Sequence, residues 1–296
     1  MARTLSFLLL LGLSASALAA PSPVTIDSAG RLYLAAGLRE QVSASLDGMP
    51  EKLRRMFLSE SHGKIDAARL AAVTAAAKRT FRIDVFEPSA LAAFAAHLDP
   101  ATVAKTLGFL ASPTGRRMVA ADVALAKLDP ATTDAIANGK LGTPASAQRA
   151  ALFQRIATVT RATESAAEVY MTMGRSLAVG KAMGYGLDLQ DARASVGKKT
   201  PPPADLLKSL EVPLERYVAY DYRDLSDADL RDMLTFFESP AGKTYVNASI
   251  AALTAGYRSM SRRCGERIGE SWREIARSEA QDSSESAPNP PPRPNR

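Results

Sequence analysis

The residues able to do chemistry in this chain crowd into one short stretch: Asp221, Asp224, Asp227, Asp229 and Asp232. Several of these carboxylates fall on one face if the stretch is helical. Such a face suits a metal ion or a general acid and base working as a pair. A plainer account competes with it. Asp229 stands three residues after Ser226, as in an Asp variant of the capping box, and Asp227 suits the positive end of a helix. The two histidines, His62 and His97, are far apart and are expected on turns or the surface. No HExxH, no Cys/His ligand spacing, no GxSxG elbow and no phosphate-cradling glycine fingerprint is present. The residues therefore imply no cofactor and no catalytic or metal site.

The acidic stretch belongs to a longer pattern that occurs twice. Residues 98–119 (LDPATVAKTLGFLASPTGRRMV) align without a gap on 225–246 (LSDADLRDMLTFFESPAGKTYV), at a uniform offset of 127. Eight of the 22 positions are identical, including Ser112/Ser239, Pro113/Pro240 and Gly115/Gly242. Ordinary composition would give roughly one or two such matches. Each copy opens on a helix start, Asp99-Pro100 in the first and Ser226 in the second. Apolar residues recur at helical spacing until the proline, which ends one helix, and the serine before it caps the next. Glycine at the third position of that new helix is disfavoured by about 1 kcal/mol relative to alanine. Its presence in both copies implies close packing by a neighbouring helix, or an anion held near Arg116, Arg117 and Lys243.

These elements lie in an all-α chain. No segment alternates with period two, and helical periodicity runs through most of the sequence. One helix is expected over 28–46, and a long Ala-rich one from Asp66 to near Phe86, with Pro88 interrupting. Another is expected over 145–183, with a possible break near Gly174 or Gly180. An exposed loop is expected over 184–203, then a helix over 204–222 kinked at Pro213. The last helix should reach about Arg277. LDPAT at 128–132 repeats the helix-start cassette of 98–102 and predicts a further cap. Gly180–Gly184 matches the close-packing spacing of membrane helices, a weak signal in such a segment. A looser echo of Glu40 and Met49 in Glu164 and Met173 extends the repeat to two helical-bundle halves, 20–141 and 142–277.

Met1–Ala19 reads as a secretory signal cleaved after Ala19, with Arg3, an apolar core over 5–13 and Ala17-Leu18-Ala19. No later apolar run is long enough to span a bilayer. The expectation is an exported protein, periplasmic or secreted, that does not span the membrane. The net charge of +6 is spread along helices, which argues against nucleic acid as a partner. Cys264 is the only cysteine, so no intrachain disulfide forms, and burial in a helix is expected. The Ser-, Pro- and Asn-rich segment 278–296 reads as a disordered tail.

The order of Tyr217/Tyr220, Ser226/Asp229, Phe236/Phe237 and Ser239-Pro240-Ala241-Gly242 resembles a bacterial family of exported helical proteins known as domain of unknown function 2059. The first copy departs from that pattern with Asp99-Pro100 and Phe109-Leu110. The resemblance covers roughly 60 residues per half, implies an all-α exported protein and supplies no catalytic residues. Tyr217, Tyr220, Phe236 and Phe237 are candidates for a partly exposed binding surface, with core packing as the alternative. The functional expectation is a non-enzymatic module binding an envelope protein, peptide or other envelope component. The alternatives are a hydrolase or metal-dependent enzyme using the acids of 221–232, and a small-ligand or lipid binder between the halves.

Overall fold

A computed structural model describes residues 23–142, 145–197 and 202–285. Among them it contains fourteen α-helices and no strand. The expected signal over 1–19 and the tail residues 286–296 lie outside the described residues.

The expected helix over 28–46 is two helices, α1 (Ile26–Ala35) and α2 (Leu38–Asp47). Gly37 separates them with φ +64, and a Cβ there would lie 2.8 Å from a methyl of Val123. α3 (Met49–Glu60) ends in a turn at 61–64, and Asp66 caps α4 (Ala67–Thr80) by accepting from the Arg69 amide at 2.7 Å. That helix stops earlier than its alanines predict. The break is at Phe81–Arg82, and Pro88 lies inside α5 (Ile83–Ala96). As the sixth residue of that helix it removes one backbone bond, the one an N–H there would donate to the Asp84 carbonyl.

α6 (Pro100–Ala111) and α7 (Pro113–Ala126) form the first Ser-Pro-x-Gly joint, and α8 (Pro130–Ala137) follows. The repeated LDPAT cassettes fold alike. Asp99 accepts from the Thr102 amide at 2.8 Å, and Asp129 from the Thr132 amide at 3.0 Å. α9 (Ala147–Val159) and α10 (Ala162–Gly184) replace the single helix expected over 145–183. The break is not at either glycine but at Arg161, whose φ is 53. From there its guanidinium reaches Asn247 at 2.9 Å. The expected loop over 184–203 contains a short helix, α11 (Leu189–Ser195), capped by Asp188. α12 (Ala204–Asp221), α13 (Asp227–Glu238) and α14 (Pro240–Glu285) complete the chain, α13 and α14 making the second joint. α14 continues past Arg277, so the first residues of the expected tail are helical.

With 46 residues, α14 is roughly 69 Å long. Met260, Cys264 and Ile268 on it are fully buried. It packs against α4, α5 and α6 as well as α10 and α13, so the described core is one continuous cluster drawn from both halves of the chain. The tightest approach is to α10. Cβ atoms at Gly180 and Gly184 would lie 1.9 and 2.2 Å from the carbonyl oxygens of Arg262 and Glu266. Reciprocally, Gly265 and Gly269 face the carbonyls of Leu177 and Lys181 at 2.1 and 2.3 Å. The spacing discounted in the sequence therefore governs the longest helix contact. It works through a second glycine pair four residues apart on α14.

The two joints match closely. A Cβ at Gly115 would lie 2.1 Å from the Phe109 carbonyl oxygen, and one at Gly242 would lie 2.0 Å from that of Phe236. Both glycine amides donate to the capping serine at 3.0 Å. Phe109 and Phe236, equivalent positions of the two copies, stack face to face with centroids 4.1 Å apart and planes 3° from parallel. Beyond the joints the copies part, since α7 stops at Ala126 whereas α14 continues to Glu285.

Candidate functional site

The joints place α7 opposite the elbow that links α12 to α13. Ser226 caps α13 in a complete capping box with Asp229. The elbow is gripped from α9 by Arg149, which donates to the carbonyls of Tyr222 at 3.2 Å and Arg223 at 3.0 Å, to that of Leu225, and to the Asp227 carboxylate. Arg117 of α7 pairs with Asp229, and Thr114 donates to the same carboxylate at 2.8 Å. Arg149 thus fixes the elbow against α9, and Arg117 and Thr114 tie the start of α13 to α7.

Between them lies a cleft of about 280 Å³. Ala121, Ala124 and Leu125 of α7 form an apolar wall, and Tyr220, Asp221 and Asp224 face it. The Arg223 guanidinium sits 4.0 Å from the centroid of the Tyr220 ring, and 3.5 Å from Asp224. Asp122 of α7 and Asp221, the last residue of α12, influence each other electrostatically. The Tyr222 hydroxyl donates to Asp122 at 2.8 Å, while Asp221 Oδ1 is buried without a partner.

Burial raises both carboxyls above the usual carboxylate range. At Asp221 the neighbouring Asp122 raises it further, and Arg223 offsets part of the effect. At Asp122 the bond from Tyr222 favours the ionised form and acts against burial. Two interacting carboxyls do not both ionise readily, which adds to the effect of burial. Burial and the adjacent carboxylates also raise Tyr222, and burial raises Tyr245, so both phenols remain neutral.

The other acids singled out in the sequence do not converge. Asp224 pairs with Arg223, Asp227 with Arg149, Asp229 caps its helix, and Asp232 accepts from Thr114 at 3.2 Å. No group of three or more His, Cys, Asp or Glu side chains suited to a metal occurs among the described residues. His62 lies in the 61–64 turn, and His97 is exposed at the end of α5. Of the four aromatics expected on a binding surface, only Tyr220 lines the cleft. The Tyr217 hydroxyl donates to the Thr133 carbonyl at 2.9 Å, while Phe236 and buried Phe237 pack with Phe109. Asp122 escaped the sequence reading because it lies just past the repeated segment and its partner is 99 residues away.

At the joints, serine hydroxyls occupy the glycine amides, and the Arg116 guanidinium donates to the Ala111 carbonyl. Packing against the preceding helix accounts for both glycines. A second groove of about 610 Å³ shares Ala120 and Ala124 with the cleft. Val119 and Val123 line it, and Arg116 and Lys127 stand among its polar residues. No described helix is long and apolar enough to cross a membrane. No family model, curated protein or solved structure matches the chain.

Proposed function

We propose that this protein is a non-enzymatic binding module of the bacterial envelope, exported by a signal cleaved after Ala19. The α7–elbow cleft is its contact site for a small envelope component or a peptide side chain. The observation that carries this reading is the two-sided cleft, apolar along α7 and polar along Tyr220, Asp221 and Asp224. Such a surface binds groups with an apolar body and a polar end. The resemblance to domain of unknown function 2059 agrees with an exported helical protein. Titration of ¹⁵N-labelled protein with fractionated envelope extract tests the reading. Amide shifts are expected to centre on Ala121, Ala124, Leu125 and Asp221. Binding whose shifts all lie elsewhere refutes the assignment.

A second reading, acid–base hydrolysis, draws on Asp122 and Asp221, whose carboxyls are both raised by burial and so resemble a split acid and base. Turnover of an envelope substrate that Asp221→Asn abolishes while leaving binding intact would establish it in place of the first.

A further inference from the structure

We propose that the second groove, on the outer face of α7, docks an amphipathic α-helix of a partner protein that carries an acidic side chain at each end of its apolar stripe. The groove has a volume of about 610 Å³ and shares only Ala120 and Ala124 with the α7–elbow cleft. The inference therefore does not require that cleft to hold a ligand.

The groove is apolar and its wall is fixed by packing. Val119 and Val123 rest against the turn between α1 and α2, where a Cβ at Gly37 would lie 3.0 and 2.8 Å from their methyls. Leu110 of α6 adds to the lining. Ala120 and Ala124 stand exposed along the bank shared with the cleft. Side chains this small let a helix backbone approach α7 to the ordinary packing distance of about 8–10 Å, with its apolar residues entering the groove.

The charges select the kind of helix. Arg116 and Lys127 both line the groove, and both are exposed. They are eleven residues apart, about three full turns, so they share one face of α7 roughly 16 Å from each other along its axis. Among the described residues neither has a carboxylate partner. The Arg116 guanidinium gives one N–H to the Ala111 carbonyl, and the Lys127 side chain makes no hydrogen bond there. Asp129, two residues on, is committed to capping α8 through Thr132. By contrast, Arg117 and Arg223 in the α7–elbow cleft are paired with Asp229 and Asp224. A helix lying along α7 has the same periodicity, so acids at its positions i and i+11 meet both cations together. A second copy of this chain is disfavoured. Antiparallel pairing of two α7 helices across a two-fold would set Arg116 of one copy against Lys127 of the other.

Selection from a phage-displayed library of helical peptides on the full-length protein, with counter-selection on Arg116→Glu/Lys127→Glu, tests the proposal. Selected peptides are expected to carry Asp or Glu at i and i+11, with apolar residues at i+4 and at i+7 or i+8. Reversing either cation alone should weaken a synthetic copy of the best peptide by roughly three- to tenfold. A copy with lysines at the two acidic positions should bind the doubly reversed variant. Amide shifts in ¹⁵N-labelled protein should centre on Val119 and Val123. The proposal is overturned if no helix survives selection, if the survivors lack the acid pair, or if binding ignores both reversals. Shifts centred on Ala121, Leu125 and Asp221 also overturn it, while leaving the reading of the α7–elbow cleft in place. Lys127→Glu, at an exposed residue without side-chain partners, decides the matter should the double variant fail to fold.

Discussion

Adding one methyl group at Gly265 should destabilise the protein, although alanine is the better helix former. A Cβ there would lie 2.1 Å from the Leu177 carbonyl oxygen and 2.6 Å from the Lys181 amide nitrogen. Carbon-to-oxygen contacts close at about 3.3 Å, so α10 and α14 would have to move apart by roughly 1 Å. Both obstacles are backbone, and no side-chain rotation relieves them. A gap of 0.5–1 Å forfeits about a quarter to a half of each dispersion contact along the seam. Overpacking typically costs about 1–3 kcal/mol and more where backbone blocks any relief, as here, and the gain in helix propensity returns about 1. The net expectation for Gly265→Ala is a loss of about 1–3 kcal/mol, or about 3–10 °C in Tm for a chain of this size. Gly174→Ala is the control, because it lies in the same contact partner, α10, with nothing within 4 Å of its added Cβ. That variant should gain about 0.5–1 kcal/mol. Thermal and urea unfolding followed by circular dichroism at 222 nm compares the two. Shifts of the same sign, or a Gly265→Ala variant as stable as wild type, refute the reasoning.

Asp229→Ala removes the capping box together with the bonds from Arg117 and Thr114, and should cost about 2–3 kcal/mol at neutral pH. Those bonds hold the Asp229 carboxyl well below the usual range. Its stabilisation is present above the ordinary carboxylate value and lost as pH falls through the depressed one, so the variant should show a flatter acid limb in urea titrations. Asp221 has the opposite sign. Its raised folded state keeps a proton that the unfolded chain releases, so its contribution weakens as pH rises from the carboxylate range upward. The full slope is about 1.4 kcal/mol per pH unit, reduced here by partial exposure. Asp221→Asn should therefore gain about 1–2 kcal/mol over wild type at pH 8 relative to pH 5, measured by isothermal denaturation. Cys264 is fully buried, and burial pushes its thiol up to about 11. It should react with a thiol reagent only on the timescale of unfolding, and prompt modification of the native protein would contradict its placement.

Local chemistry was legible in the sequence and long-range packing was not. Asp66, Asp99, Asp129 and Ser226 cap where their types and spacing indicated, because a cap is settled within four residues. The prolines likewise marked both joints. Breaks set by distant partners were invisible: Gly37 yields to Val123 of α7, and Arg161 reaches Asn247 of α14. Gly180–Gly184 carried little information without Gly265 and Gly269, which meet it only in the fold. The same holds for the cleft. Asp221 and Tyr220 were picked out from their neighbourhood, whereas Asp122 acquires its role from residues that the chain brings back 99 positions later.

The direct test of the proposed contact site is photo-crosslinking in exported, full-length protein. Benzoylphenylalanine replaces Leu128 at the cleft or, as a remote control, exposed Leu34. The account predicts a defined adduct from Leu128, identified by mass spectrometry and absent from Leu34. The same products from both positions, or an adduct from Leu34 alone, would contradict it.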